Sequence, residues 1–364
     1  MRYRLPACLL ALALLSACAA LPRPAPSAAA APVADTPAAA TVDEAWIAAP
    51  RPADEIDSLA VWPTPDGGHW LVATAKSSHT LAVYDAETGR FLRSVGGPGD
   101  GPGQFRRPNG VAVFGDTLFV VERDGRRVQT FRLPDFAPLG SFGGDRLRVP
   151  YGLWLDEVAP DTLDVYVTDS YMADFRTGLL PPMAELSGRV QRFRVDLSGP
   201  APRAEWQGQF GDTTEAGALR MVESIAGDPA HDRLLIADED RRVGSTLREY
   251  SLSGRRYLGR SLPPFKGDAE GVVLWACSAE AGYWIAVDQV RPSEFRVYDR
   301  RTLAPAGTFS GRTVADTDGI ALQQDASPRF PAGALFAQHD NVAVAAFDLR
   351  DIVRALRLDP ACAR

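Results

Sequence analysis

The segment "VADTDGIAL" (314–322) sets Asp316 and Asp318 two residues apart at the head of an apolar run, with no basic residue between them. "GDAEGVVLW" (267–275) repeats the arrangement with Asp268 and Glu270. Further acids open or close comparable runs: Asp57 in "DSLAVW", Glu223 in "ESIAGD", Glu239 in "LLIADED" and Asp340 in "LFAQHD". Carboxylates gathered at one place repel each other, so either some stay protonated or a cation joins them. Oxygen donors of irregular geometry suit a hard cation, calcium above all. The four histidines show no zinc-ligand spacing, and the chain has neither a G-x-S-x-G elbow nor a P-loop.

These acids have to be held by a repeated element. From residue 43, short runs rich in Val, Leu, Tyr, Phe and Trp alternate with Gly, Asp and Pro turns, an all-β pattern. Only the tail "LRDIVRALRL" has helical amphipathicity. One kind of run recurs six times: "DSLAVW", "NGVAVF", "YGLWLD", "ESIAGD", "EGVVLW" and "DGIALQ". A second run ending in polar residues follows each of them: "WLVATAK", "LFVVER", "DVYVTDS", "LLIADED", "YWIAVDQ" and "LFAQHD". The starts lie roughly 40–50 residues apart, except where "YMADFRTGLLPPMAELS" inserts. Six such units predict a six-bladed β-propeller, with "EAWIA" near 44–48 completing the last blade. A two-sheet sandwich has no need of six copies of one unit.

The first strand of every propeller blade lines the central channel. Asp57, Asn109, Tyr151, Glu223, Glu270 and Asp318 are therefore expected to ring one mouth. The second strand returns to the same mouth and brings Lys76, Glu122 with Arg123, Asp169, Asp238 with Glu239, Asp288 and Asp340. Of these, Asp169 and Asp288 read as ordinary strand-ending acids suited to turns.

Length and composition bound the rest. A chain of 364 residues that is 46% apolar suffices for one large core or two ordinary ones, and a net charge of −7 without a basic block excludes nucleic acid as an expected partner. The N-terminus carries Arg2 and Arg4, then a short apolar run ending in "LSAC". It is similar to a lipoprotein signal (1–17) with an acylated Cys18; a plain secretory signal is the alternative, and export follows from both. Residues 19–42, rich in Ala and Pro, read as a flexible tether to a 43–364 propeller. Cys277 and Cys362 are either a structural disulfide or two buried thiols.

In "VESIAGDPAHDRLLIADED", "KGDAEGVVLW", "SEFRVYDR", "VADTDGIAL" and "PAGALFAQHDN", residues 221–352 resemble the β-propeller phytases. These are calcium-dependent enzymes that remove phosphate from myo-inositol hexakisphosphate. The resemblance implies that Asp57, Glu223, Glu239, Asp268, Glu270, Asp316, Asp318 and Asp340 bind several calcium ions. Glu223, Glu239, Lys76 and Arg123 would then be catalytic, and Tyr151, in its "YG" context, would contact the ligand. It further implies an exported monomer, with a small anionic phosphate ester as partner and membrane contact through the lipid anchor alone. Ser58 stands where the family has a second Asp, and "TDSYMADF" where it has further lysines. Residues 96–113, "GGPGDGPGQFRRPNGVAV", resemble an NHL repeat. That likeness carries the alternative, a non-catalytic propeller lipoprotein binding a protein or glycan. Its arginine loops "RRPNG", "ERDGRR" and "DEDRRVG" would form a contact rim for an anionic partner.

Overall fold

The computed structural model describes residues 38–363. They form a six-bladed β-propeller, each blade a four-stranded antiparallel meander. From the channel outward, blade 1 is Ile56–Pro63, His69–Ala75, Thr80–Asp85 and Phe91–Gly96. Blade 2 is Pro108–Phe114, Thr117–Glu122, Arg127–Arg132 and Ala137–Phe142. Blade 3 is Pro150–Ala159, Thr162–Asp169, Val190–Asp196 and Arg203–Phe210. Blade 4 is Val222–Asp228, Arg233–Asp238, Thr246–Ser251 and Tyr257–Ser261. Blade 5 is Asp268–Ala276, Gly282–Gln289, Glu294–Asp299 and Pro305–Ser310. Blade 6 takes Ile320–Gln323, Ala334–His339 and Ala343–Asp348, and its outer strand is Trp46–Ile47 from the other end of the chain. The ring closes through that strand, at the segment expected from the sequence.

The second strand of each blade is sandwiched between neighbouring blades on both faces. It therefore reads as a continuous apolar run rather than an alternating one, as in the wholly buried Arg233–Asp238. Outer strands meet solvent; Tyr257–Ser261 has no buried residue. The core is accordingly not one mass but six clusters, one in each gap between blades. Between blades 1 and 2, for example, Val72 and Val83 meet Val120 and Phe131.

One feature departs from the sequence reading, and another decides between two of its alternatives. The end of the expected tether is not loose: Ala38–Thr41 pairs in parallel with Pro305–Ser310 as a fifth strand of blade 5. Its backbone groups find partners on an edge that was otherwise free, which offsets the lack of apolar side chains. Cys277 lies just past the inner strand of blade 5 and is disulfide-bonded to Cys362, so the first of the two cysteine readings holds. The bond fastens the chain beyond the helix Leu349–Leu356. Leu349, Ile352, Val353 and Leu356 of that helix are buried against blades 5 and 6, and the Asp348 carboxylate caps its start by accepting the Arg350 N–H (2.8 Å). The signal segment, Cys18 and most of the tether lie outside the described residues.

Candidate functional site

Six equivalent positions converge where the inner strands begin. In blades 1 to 4 the residue after the first cross-strand pair is Asp57, Asn109, Tyr151 and Glu223; in blade 5 Glu270 follows the second pair, and Asp318 takes the place in blade 6. The residue behind each is small: Ser58, Gly110, Gly152, Ser224, Gly271 and Gly319. Four of these must be glycine because the next blade comes so close. A Cβ on Gly110 would lie 2.4 Å from the Tyr151 carbonyl oxygen, and on Gly319 2.5 Å from that of Asp57. Buried threonines clip neighbouring blades at this level: Thr74 donates to the Asn109 carbonyl and Thr168 to that of Glu223, both at 2.6 Å. Below this collar the six inner strands enclose a cavity of about 450 Å³. Tight strand packing thus holds the six mouth residues around one narrow opening.

The second strands add side chains to the mouth at a register one residue later than their last acids. In blades 1 to 4 the N–H groups of Lys76, Arg123, Ser170 and Glu239 bond the carbonyls of Glu55, Arg107, Val149 and Met221 at 2.8–3.1 Å. Lys76 reaches Asp57 (2.5 Å) and Asp318 (3.9 Å), and Asn109 Nδ2 lies 3.4 Å from Glu223 Oε1. Glu223, Glu239 and Glu270 each bring one oxygen to within 4.8 Å of the others. This is the one such group of metal-capable side chains among the described residues. With Asp57 and Asp318 alongside, five carboxylates face a single ammonium.

The acids behind them do other work, in keeping with the turn reading of Asp169 and Asp288 and correcting the expected place of Glu122 and Asp238 at the mouth. Asp169 accepts the N–H groups of Arg148 (3.0 Å) and Val149 (2.6 Å), Asp238 those of Arg220 (3.2 Å) and Met221 (2.9 Å), and Asp288 those of Lys266 (2.9 Å) and Gly267 (2.7 Å). Glu122 likewise accepts the Arg106 N–H at 2.8 Å. Each of these acids ties down the loop entering its own blade, because alternation along a strand turns neighbouring side chains opposite ways. In blade 5 it is therefore Gln289, not Asp288, that reaches inward, where it donates to Asp318. Counting from the aligned runs places Gln289 level with Lys76, Arg123 and Glu239; the neighbouring acid drew attention away from it.

Asp268, Asp316 and Asp340 occupy the outer rim in arginine pairs. Arg241 bonds both oxygens of Asp268 (2.5 and 2.6 Å), and Arg291 bridges Asp316 (2.9 Å) and Asp340. These arginines come from loops with no fixed spacing to the acids. Most other arginines of the rim loops are also engaged, Arg126 excepted: Arg106 with Asp100, Arg107 with Glu55, Arg123 with Asp124, Arg127 with Glu122 and Arg242 with Asp240. An anionic partner would find little free charge on them.

Burial, reinforced by neighbouring carboxylates, pushes Glu223, Glu270 and Asp318 well above the usual carboxyl range. Burial carries Glu239 up to about 7, with a hydrogen bond from Glu270 pulling the other way. Burial also opposes the Lys76 ammonium, yet Asp57 and Asp318 hold it above the ordinary lysine value. Tyr151 is pushed up to about 12 by burial and the Glu223 charge, so it keeps its hydroxyl proton at neutral pH.

The raised carboxyls fix a sign for the pH dependence. Without cations the folded state holds more protons than the unfolded chain between pH ~4.5 and about 7, so stability falls as pH rises through that window. Glu239 alone contributes on the order of 3 kcal/mol, or at least roughly 5 °C in Tm. Thermal melts in chelator should therefore decline from pH 5 to pH 7.5, and saturating calcium should abolish the decline. A chelated protein whose Tm is flat across that range would contradict the electrostatic account.

No family model matches the sequence, and no curated protein matches it. Among solved structures, the chain is similar to hydrazine synthase of Kuenenia stuttgartiensis, with 13% sequence identity and a TM-score of 0.44 over 85% of this chain and 80% of that one.

Proposed function

We propose that the protein is an exported, calcium-dependent phosphomonoesterase of phytase type, acting on myo-inositol hexakisphosphate. The observation that carries this reading is the set of five buried or half-buried carboxylates facing one lysine at the channel mouth. A set of oxygen donors with this excess of negative charge fits a hard divalent cation, and the absence of a sulfur or imidazole ligand disfavours a soft one.

Glu223, Glu239 and Glu270 would hold the first calcium, with Asp57 and Asp318 beside them. Asp268, Asp316 and Asp340 would serve a further ion at the rim by exchanging their arginine partners for it. Bound calcium supplies positive charge to the phosphoryl oxygens and acidifies the attacking water. Lys76, fully charged at neutral pH, and Arg123 bind phosphoryl oxygens from blades 1 and 2. Tyr151 donates its retained hydroxyl proton to the same group. The first and second strands hold the mouth groups in place, so little of the binding free energy is lost to ordering them.

The disulfide Cys277–Cys362 supports an oxidising compartment, in keeping with export and with a lipid anchor at Cys18. The binding-propeller alternative draws no support from the rim, whose arginines are mostly paired.

Phosphate release from phytate, followed in calcium and in chelator, tests the proposal. Release in calcium that stops in chelator is the expected result. Folded, calcium-loaded protein that releases no phosphate from phytate or from simple phosphomonoesters would overturn it.

A further inference from the structure

Beside the mouth, between blades 2 and 3, lies a second cavity of about 560 Å³ lined by Arg123, Asp124, Arg126, Arg148, Val149 and Phe175. Its character is opposite to that of the mouth. Asp124, its one acid, is paired with Arg123 (2.7 Å). Arg126 and Arg148 have no carboxylate partner among the described residues, unlike most arginines of this surface. The Arg148 guanidinium lies over the Tyr171 ring, 3.6 Å from its centroid, and the buried Arg189 lies over the same ring at 4.4 Å. That cation–π contact anchors Arg148 while no carboxylate occupies its N–H groups.

Phe175 supplies the apolar part. It belongs to the insertion of blade 3 and is 51% exposed, a large ring left in water at the lip of a cationic pocket. The insertion is tied down nearby by Arg242, which donates to the Gly178 carbonyl (3.0 Å). Arg123 joins the two sites: it lines this cavity and also lies beside the Tyr151 hydroxyl at the mouth.

A pocket with two uncompensated guanidinium groups and an exposed aromatic face recognises a planar ring carrying an acid. We propose that it receives the non-reacting end of a second class of substrate: aromatic phosphomonoesters bearing a further acidic group, with the ring on Phe175 and the acid on Arg126 and Arg148. The hydrolytic step rests on the phosphatase reading above; the binding does not.

Binding is therefore measured first on the purified protein in chelator, where the empty carboxylate mouth repels anions. The probes are 4-carboxyphenyl phosphate and glycerol 2-phosphate, followed by titration calorimetry or ligand-observed NMR. The aromatic probe should bind at least about tenfold more tightly, since a ring contact and a charged hydrogen bond act together. Arg126→Ala and Arg148→Ala should each weaken it roughly fivefold. Phe175→Ala should reduce the preference for the aromatic probe to the share carried by its carboxylate, while leaving glycerol 2-phosphate unaffected. These side chains are at the surface, so the variants keep the fold. Equal affinity for both probes, or an aromatic preference left undiminished by Phe175→Ala, overturns the assignment. In calcium, kcat/KM for the aromatic ester should fall in the same variants in step with binding. Tight aromatic binding without any hydrolysis would uphold the pocket and overturn the phosphatase.

Discussion

Glu223→Gln is expected to lower calcium-dependent phosphate release by at least about 100-fold in kcat/KM while raising the melting temperature of the calcium-free protein. The two effects have one cause. Glu223 sits within 4.8 Å of Glu239 and Glu270, and close to Asn109, in a place where burial and neighbouring charge already resist its ionisation. Glutamine keeps the shape and removes a negative charge. Without cations that relieves repulsion, so the folded state gains. With calcium it removes one ligand from the densest part of the set, and the charge needed at the phosphoryl group is lost. A site that gives up stability for activity behaves in this way. Melts of wild type and variant at pH 8 in chelator, set beside rates in calcium, decide the matter. A variant that is inactive and also less stable in chelator would mean that Glu223 is a structural residue.

The second large effect falls on stability. Arg189 is wholly buried and has no bonded carboxylate; its guanidinium donates to four backbone carbonyls, those of Leu219 (3.1 Å), Asp169 (3.0 Å), Tyr171 (2.6 Å) and Arg220 (2.6 Å). Burial lowers its pKa to about 10, which still leaves it charged at neutral pH. It sews the end of the second strand of blade 3 to the loop that enters blade 4, two residues ahead of Val222 and Glu223. Arg189→Leu leaves those carbonyls dry and unpaired, at a cost of about 3–5 kcal/mol and roughly 10 °C in Tm. Lysine should recover only part of this, because one ammonium cannot reach both sides of the seam. A leucine variant melting within roughly 1 °C of wild type would show that these bonds contribute nothing net.

The mouth was legible because a propeller turns sequence period into spatial equivalence. Once the six first runs were aligned, Asp57, Asn109, Tyr151, Glu223, Glu270 and Asp318 had to share a level. The second strands were harder to read. Their last residues are conspicuous acids, yet the strand pleat turns Glu122, Asp169, Asp238 and Asp288 toward their own entry loops, and a misreading by one residue exchanges the two faces. Gln289 shows the cost: it is uncharged, and it is the residue that touches Asp318. Pairings between loops left no trace at all. Arg241 with Asp268 and Arg291 with Asp316 depend on how far flexible side chains reach across the rim, which spacing does not encode. The pairing of Cys277 with Cys362 was open for the same reason. The pocket at Phe175 arises from the one irregular insertion, where the repeat offers no guide.

The way the ring is closed has a consequence in time. Trp46 and Ile47 find their pairing partners only in Ala345 and Ala346, about 300 residues later in the chain. Five blades can build on neighbours as they emerge, but the sixth waits for residues 343–348, and Ala38–Thr41 waits for residues 305–310. Contacts so distant along the chain slow the last stage of folding. Until that stage the nascent molecule is an open arc with an exposed flank, and a chain stopped early by a nonsense codon or a protease never becomes anything else.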